Sequence, residues 1–212
     1  MMITSRSLSA MTPAIGREKL LLAAQHAFSH YGYAGSSVRT ICQNAQLDAS
    51  MITHHFGSKA NLWLAVANHL AAQQQEHLQP LEQVFSLAQT TKERFILAGD
   101  ALISLFADLP EIALLINQEL GQPGERLDHL NTQLIQPGYA ICGPIWQESM
   151  KNGMLRTQNP VIFHLLVIGA LGTTLSASAI LRVLSGQHYD QNVIKKELQR
   201  TLRQLAQTDP AL

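Results

Sequence analysis

SSVRTICQNAQLDASMITHHFGSKANL, residues 36–62, reads as two short helices joined by a tight turn and followed at once by the capped start of a third. In the first, Val38, Ile41, Cys42 and Ala45 recur at helical spacing and make one apolar stripe. Asp48 then offers a carboxylate to the free N–H groups at the start of the next helix. There Ile52 and Phe56 are four apart and face one side, while Ser50, Met51, Thr53 and His54 point elsewhere. A short helix with small, hydrogen-bonding residues outward suits the major groove of DNA. Ser58 reads as the cap of a further helix that opens on Lys59.

Around this stretch stand an amphipathic helix at about 15–31, with Leu20, Leu21, Ala24, Ala27 and Phe28 on one face, and the Gly32-Tyr33 step that ends it. The Ser36-Ser37-Val38 start, the Ile41 and Ala45 spacing and the string HHFGSK at 54–59, with Leu62 three residues on, complete the set. In this order and at these spacings, residues 15–65 resemble the DNA-binding end of TetR-family transcriptional regulators. The chain departs from the family pattern twice. Gln46 stands where the turn usually has glycine, and Thr53 replaces the first aromatic of the signature. Gln46 is therefore expected to take a left-handed conformation at a cost of about 1–2 kcal/mol.

The resemblance implies an all-α protein. An N-terminal three-helix helix-turn-helix DNA-binding domain (14–62) would be followed by a larger C-terminal helical ligand-binding and dimerisation domain (63–212). Residues 1–13 read as a flexible arm, either an unstructured tail or one reaching a minor groove through Arg6. That arm lacks the apolar core of a signal peptide. Hydrophobic residues make up 46% of the 212, enough for a sizeable core, and the net charge is zero. Residues 1–70 carry five Lys/Arg against two acids, and the remainder ten against thirteen. A basic end opposite an acidic body fits one end facing phosphates, although chance produces splits of that size too. Two distant cysteines, Cys42 and Cys142, give no disulfide framework and no metal spacing, which points to a reducing cytoplasm and to no cofactor.

Beyond Lys59 the pattern stays helical. The helix opening there passes Leu62, Val66 and Leu70 towards residue 77 or beyond, and Pro80 should interrupt or kink it. Further helices are expected at 81–88, 91–108, 110–120, 125–152 (bent by Pro137 and Pro144), 160–184 and 190–207. The segment 161–184 is apolar enough to raise a membrane span, but His164, Thr173, Thr174, Ser176, Ser178 and Arg182 spread polar groups through it. It reads better as one side of a dimer seam than as a membrane helix. Gly169, Gly172, Thr173 and Ser176 would admit a close helix, and the last helix would add Ile194, Leu198, Leu202 and Leu205 as a four-helix interface.

The expected DNA-contacting set is Ser36, Ser37, Arg39, Ala49, Ser50, Met51, Thr53, His54 and Lys59. Phosphate contacts fix position and base-edge contacts carry sequence. Lys59, with the free N–H groups of its helix, makes a phosphate site, or is a solvated surface lysine. Ser36 and Ser37 cap the second helix and, by resemblance, also reach phosphate. Thr53 can touch a phosphate or a thymine methyl, Ser50 a base edge, and His54 a phosphate. Met51 offers apolar contact or packs inward, and Arg39 is placed for groove or phosphate. His55 reads as a support of the domain. Asp48, where the family has a hydroxyl, favours the helix dipole but repels phosphate.

The resemblance further implies a homodimer on a palindromic double-stranded operator, most often a repressor, released by a small apolar or amphipathic effector. Phe95, Leu102, Phe106, Gln118, Tyr139, Trp146, Met150 and His164 are the residues expected around that effector. Leu115, Ile116, Leu134, Ile141, Phe163 and Leu166 are further apolar candidates, and each of these apolar residues is also what ordinary core requires. Catalysis is not expected: no nucleophile elbow, zinc motif or phosphate loop occurs in the sequence. The alternative is a helical protein–protein adaptor whose N-terminal helices no longer bind DNA.

Overall fold

The structure is a computed structural model. It describes the backbone of residues 5–156 and 159–206, and the side chains of those residues apart from 5–14, 82 and 205. Every regular element among them is helical: α1 (Ser5–Gly35), α2 (Val38–Ala45), α3 (Ser50–Phe56), α4 (Lys59–Leu87), α5 (Thr91–Asp108), α6 (Pro110–Glu119), α7 (Glu125–Leu130), α8 (Gln136–Lys151), α9 (Pro160–Ser176), α10 (Ser178–Ser185) and α11 (Gln191–Leu205).

The stripes of α1 to α3 close on one another. Leu20, Ala24, Phe28, Ile41, Ala45, Ile52 and Phe56 are buried together with Leu62 and Val66 from the start of α4. Ser37 caps α2 by accepting the Thr40 N–H at 3.0 Å, and Ser58 caps α4 by accepting the Asn61 N–H at 3.1 Å. The helix α4 then carries the chain out of the small domain: Trp63, Leu70 and Leu78 are buried along its length. Around it α5, α6, α8 and α9 continue the same core with Leu102, Leu105, Ile112 and Trp146, and Leu134 of the turn before α8 joins them.

Several expected boundaries move. Residues 5–13, read from sequence as part of an arm, continue α1 as helical backbone; residues 1–4 and the Arg6 side chain lie outside the described set. Pro80 does not end α4, which runs through it to Leu87, so the expected segment at 81–88 is the last two turns of α4 with its cap and not a separate helix. The expected helix at 125–152 is continuous only through a π turn at Asn131–Ile135, where the Gln136 N–H reaches back five residues to the Asn131 carbonyl. The wider turn falls where Pro137 has no N–H and its ring would crowd the carbonyl four residues earlier. The expected 160–184 helix is two, bent by 71° at Ala177. Thr173, Thr174 and Ser176 weaken the helix there through β-branching and hydroxyls that compete for backbone groups. Among the described residues no single helix is long and apolar enough to cross a membrane.

Candidate nucleic-acid interface

The turn between α2 and α3 is built on Gln46, whose φ of 57° and ψ of 42° are left-handed. Its N–H closes on the Cys42 and Gln43 carbonyls, so this non-glycine residue does the work glycine ordinarily does at a helix end. Asp48 Oδ1 accepts the Ser50 N–H at 2.9 Å and anchors the start of α3. That bond holds the Asp48 carboxyl below its ordinary pKa. In α3, Ile52 and Phe56 are buried, and Ala49, Ser50, Thr53 and His54 are exposed on the outer side. Met51 is half-buried, its Cε near Gly16. His55 is half-buried and its Nε2 is without a partner. Desolvation, then the charges of His54 and Arg17, pull its pKa down, in keeping with a supporting role.

Ser37 and Arg39 are exposed on the same end of the molecule. Ser36 is not available: it is 4% exposed and its hydroxyl donates to the Gly32 carbonyl at 2.7 Å. The Ser-Ser pair divides its labour because adjacent residues at a helix start face different ways, Ser37 to the cap and Ser36 to the interior. Lys59 is half-buried. Its Nζ donates to the Tyr33 carbonyl at 2.5 Å and lies 4.3 Å from the centre of the Tyr33 ring. Burial, and then the nearby Arg126 charge, lower its pKa. An ammonium has three donors, so two remain after the Tyr33 bond.

The residues expected around an effector do not converge on one space. Leu102, Phe106 and His164 line a small cavity of about 20 Å³ together with Leu78, Ile116 and Leu134. Phe95 and Trp146 stand apart from it, stacked edge-on at 5.5 Å, with Phe163 5.3 Å from Trp146 and Met150 half-buried at the same core. Tyr139 meets the His164 ring at 5.4 Å. Trp146 Nε1 donates to His164 Nδ1 at 3.2 Å. Gln118 is elsewhere: its Nε2 donates to the His30 carbonyl at 3.3 Å, and its side chain lies against Gly32. Helix periodicity places Gln118 on a face but cannot say which helix that face meets. Sequence reading missed Gln74, whose buried amide donates to the Leu134 carbonyl at 2.8 Å and joins α4 to the π turn. It forms a wall of both the cavity and an open groove of about 570 Å³ lined by Asn68, Gln75, Gln79, Gln133 and Ile141.

The expected seam is half displaced. Gly169, Thr173 and Ser176 are exposed, but Gly172 is buried, a Cβ there falling 2.6 Å from Ala113 of α6. In α11, Ile194 is buried, and Leu198 and Leu202 pack inward, Leu202 onto Gly99 of α5. The Leu205 side chain lies outside the described set. The stripe of α11 is thus spent inside the chain. The uncovered apolar face belongs to α9 and α10 instead: Val161, Ile162, Leu165, Leu166, Ile180, Val183 and Leu184 are all exposed. Leu166, read from sequence as a cavity residue, is 63% exposed on this face.

Residues 20–66 match the family model described as bacterial regulatory proteins, tetR family. The HTH-type transcriptional repressor AcnR of Corynebacterium glutamicum is 38% identical over 64 residues, 30% of this chain and 34% of that protein. The chain thus spans about a third of the length of the curated relatives it matches. Solved structures cover far more. HlyIIR, a hemolysin II transcriptional regulator, superposes with a TM-score of 0.60 at 20% identity, over 84% of this chain and 99% of that one. The transcriptional regulator FadR from Bacillus subtilis, in complex with stearoyl-CoA, gives 0.57 at 21%, over 87% and 96%. Those likenesses show the fold, and the match at 20–66 shows that the N-terminal module is similar to that of the tetR family of bacterial regulatory proteins.

Proposed function

We propose that this chain is a homodimeric repressor, acting in the cytoplasm, that reads a palindromic operator through α3 and lets go when a small molecule enters the larger domain. The observation that carries this reading is the outer side of α3. Ala49, Ser50, Thr53 and His54 stand clear of the core, on a helix pinned by Ile52 and Phe56, with Ser37, Arg39 and Lys59 on the elements around it. One such module contacts only a few base pairs, so useful specificity takes two copies on a two-fold site. The bare face of α9 and α10 is the surface that supports pairing, in place of the α11 stripe.

The effector step follows from the cavity. A space of about 20 Å³ holds one water. Anything larger must part the helices around it, and Gln74 and Leu78 of α4 are among its walls. Because α4 also carries Lys59, a ligand that favours the parted arrangement disfavours the DNA-bound one. The apolar walls, with Gln74 and His164 as polar groups, suit an apolar or amphipathic molecule.

Selection of bound duplexes from a random pool tests the reading, with the mass of the protein measured at micromolar concentration. An enriched inverted repeat and a dimer are expected. If a folded chain enriches nothing, the DNA reading fails and the adaptor alternative stands.

A further inference from the structure

Where the two domains meet, one residue of the larger domain reaches the DNA-facing end. Arg126, in α7, donates from Nε to Glu119 Oε2 at 2.9 Å, and the Glu119 side chain is 2% exposed. With its Nε held there, the Arg126 guanidinium lies 4.4 Å from the centre of the Tyr33 ring, the same ring that Lys59 approaches at 4.3 Å. Tyr33 comes directly after Gly32, where α1 kinks with φ 70° and ψ 174°. A Cβ on Gly32 would come 2.9 Å from Gln118 Oε1, so the end of α6 sits directly against the kink. The kink is then fixed from two sides by adjacent residues of α6, Gln118 directly and Glu119 through Arg126. Its carbonyl at Tyr33 holds the Lys59 ammonium. Within the two preceding turns, Ile112 and Ile116 of the same helix line the cavity.

We infer that Arg126 is a positioning residue for the phosphate contact: it fixes Tyr33, Tyr33 fixes Lys59, and α6 links that arrangement to the cavity. The inference rests on the DNA-binding reading of α3. Arg126 needs no contact with DNA to act. A cation over an aromatic ring restrains both partners, and an ammonium tethered by one of its donors arrives at a phosphate with less freedom to lose. Glu119 is what keeps Arg126 over the ring: a carboxylate buried to that extent requires a charged partner, and the guanidinium meets that need in one orientation.

A double-mutant cycle on the selected duplex tests it by fluorescence anisotropy. Arg126→Met should weaken binding about three- to tenfold in the wild-type background, and by less than about twofold in a Lys59→Met background, because its effect passes through Lys59. Should Arg126→Met unfold the chain by stranding Glu119, Glu119→Gln/Arg126→Gln removes both charges and serves in its place. Losses that multiply, or no loss in either background, overturn the inference: the first means that Arg126 touches DNA or acts on the fold at large, the second that the ring contact is idle. A wild-type chain that selects no duplex sinks the DNA reading and this inference together. A multiplicative result on a duplex that the wild type does select sinks this inference alone.

Discussion

Mild acid should destabilise this protein through His164, and the size of the effect comes from its surroundings. The ring is 3% exposed, and its Nδ1 accepts the Trp146 indole N–H at 3.2 Å. An indole nitrogen only donates, so that imidazole nitrogen carries no proton and the neutral form is the one that fits. Burial pulls the His164 pKa from 6.5 to about 4. The unfolded chain takes up the proton below 6.5, while the folded chain refuses it until about 4. The contribution is therefore intact above 6.5 and drains away as the pH falls between those values. At about 1.4 kcal/mol per pH unit the limit is about 3 kcal/mol, and lowering the pH from 7 to 5 should cost about 2 kcal/mol. The assay is urea unfolding tracked by tryptophan fluorescence at both pH values and one protein concentration, comparing wild type with His164→Asn. Asparagine keeps an acceptor for Trp146 but does not titrate, and every other histidine is common to both chains. The wild type should lose about 2 kcal/mol more than the variant. Equal losses would refute the placement of His164 as a buried neutral histidine.

Other outcomes are set by the same contacts. Gln46→Gly should stabilise the chain by about 1 kcal/mol in the same unfolding assay, because glycine adopts the left-handed turn without crowding a Cβ. Lys59→Met should weaken operator binding across sequences alike and lower the slope of log affinity against log salt by about 1, the signature of one lost phosphate contact. Asp48→Ser should tighten binding, most at low salt, since it keeps a capping oxygen and removes an anion beside the DNA; affinity unchanged at every salt concentration would refute that. Leu166→Glu and Leu184→Glu should give folded monomers by analytical ultracentrifugation, whereas Leu198→Ala should lower the unfolding midpoint and leave the dimer intact.

The sequence by itself determined the all-helical class, the three small helices, their caps and the outer side of α3. Those features rest on neighbours within a few residues: Ser58 caps the helix that opens at the next residue, Ile52 and Phe56 share a face because they are four apart, and Gln46 must turn left-handed because the chain reverses there. It also singled out Lys59 and Tyr33, though not the bond between them. Beyond its reach lay contacts between residues far apart in the chain. Both α9 and α11 offered apolar residues for a seam, yet α11 folds its stripe onto α5, whereas α9 buries one side against α5, α6 and α8 and keeps another bare. Gln118, expected at an effector, and Arg126, which the sequence did not single out, take their places only when α6 is laid against the kink at Gly32. Helical periodicity gives each helix an apolar side; which helix meets that side, and whether any space is left between them, was decided only when all of them were packed together.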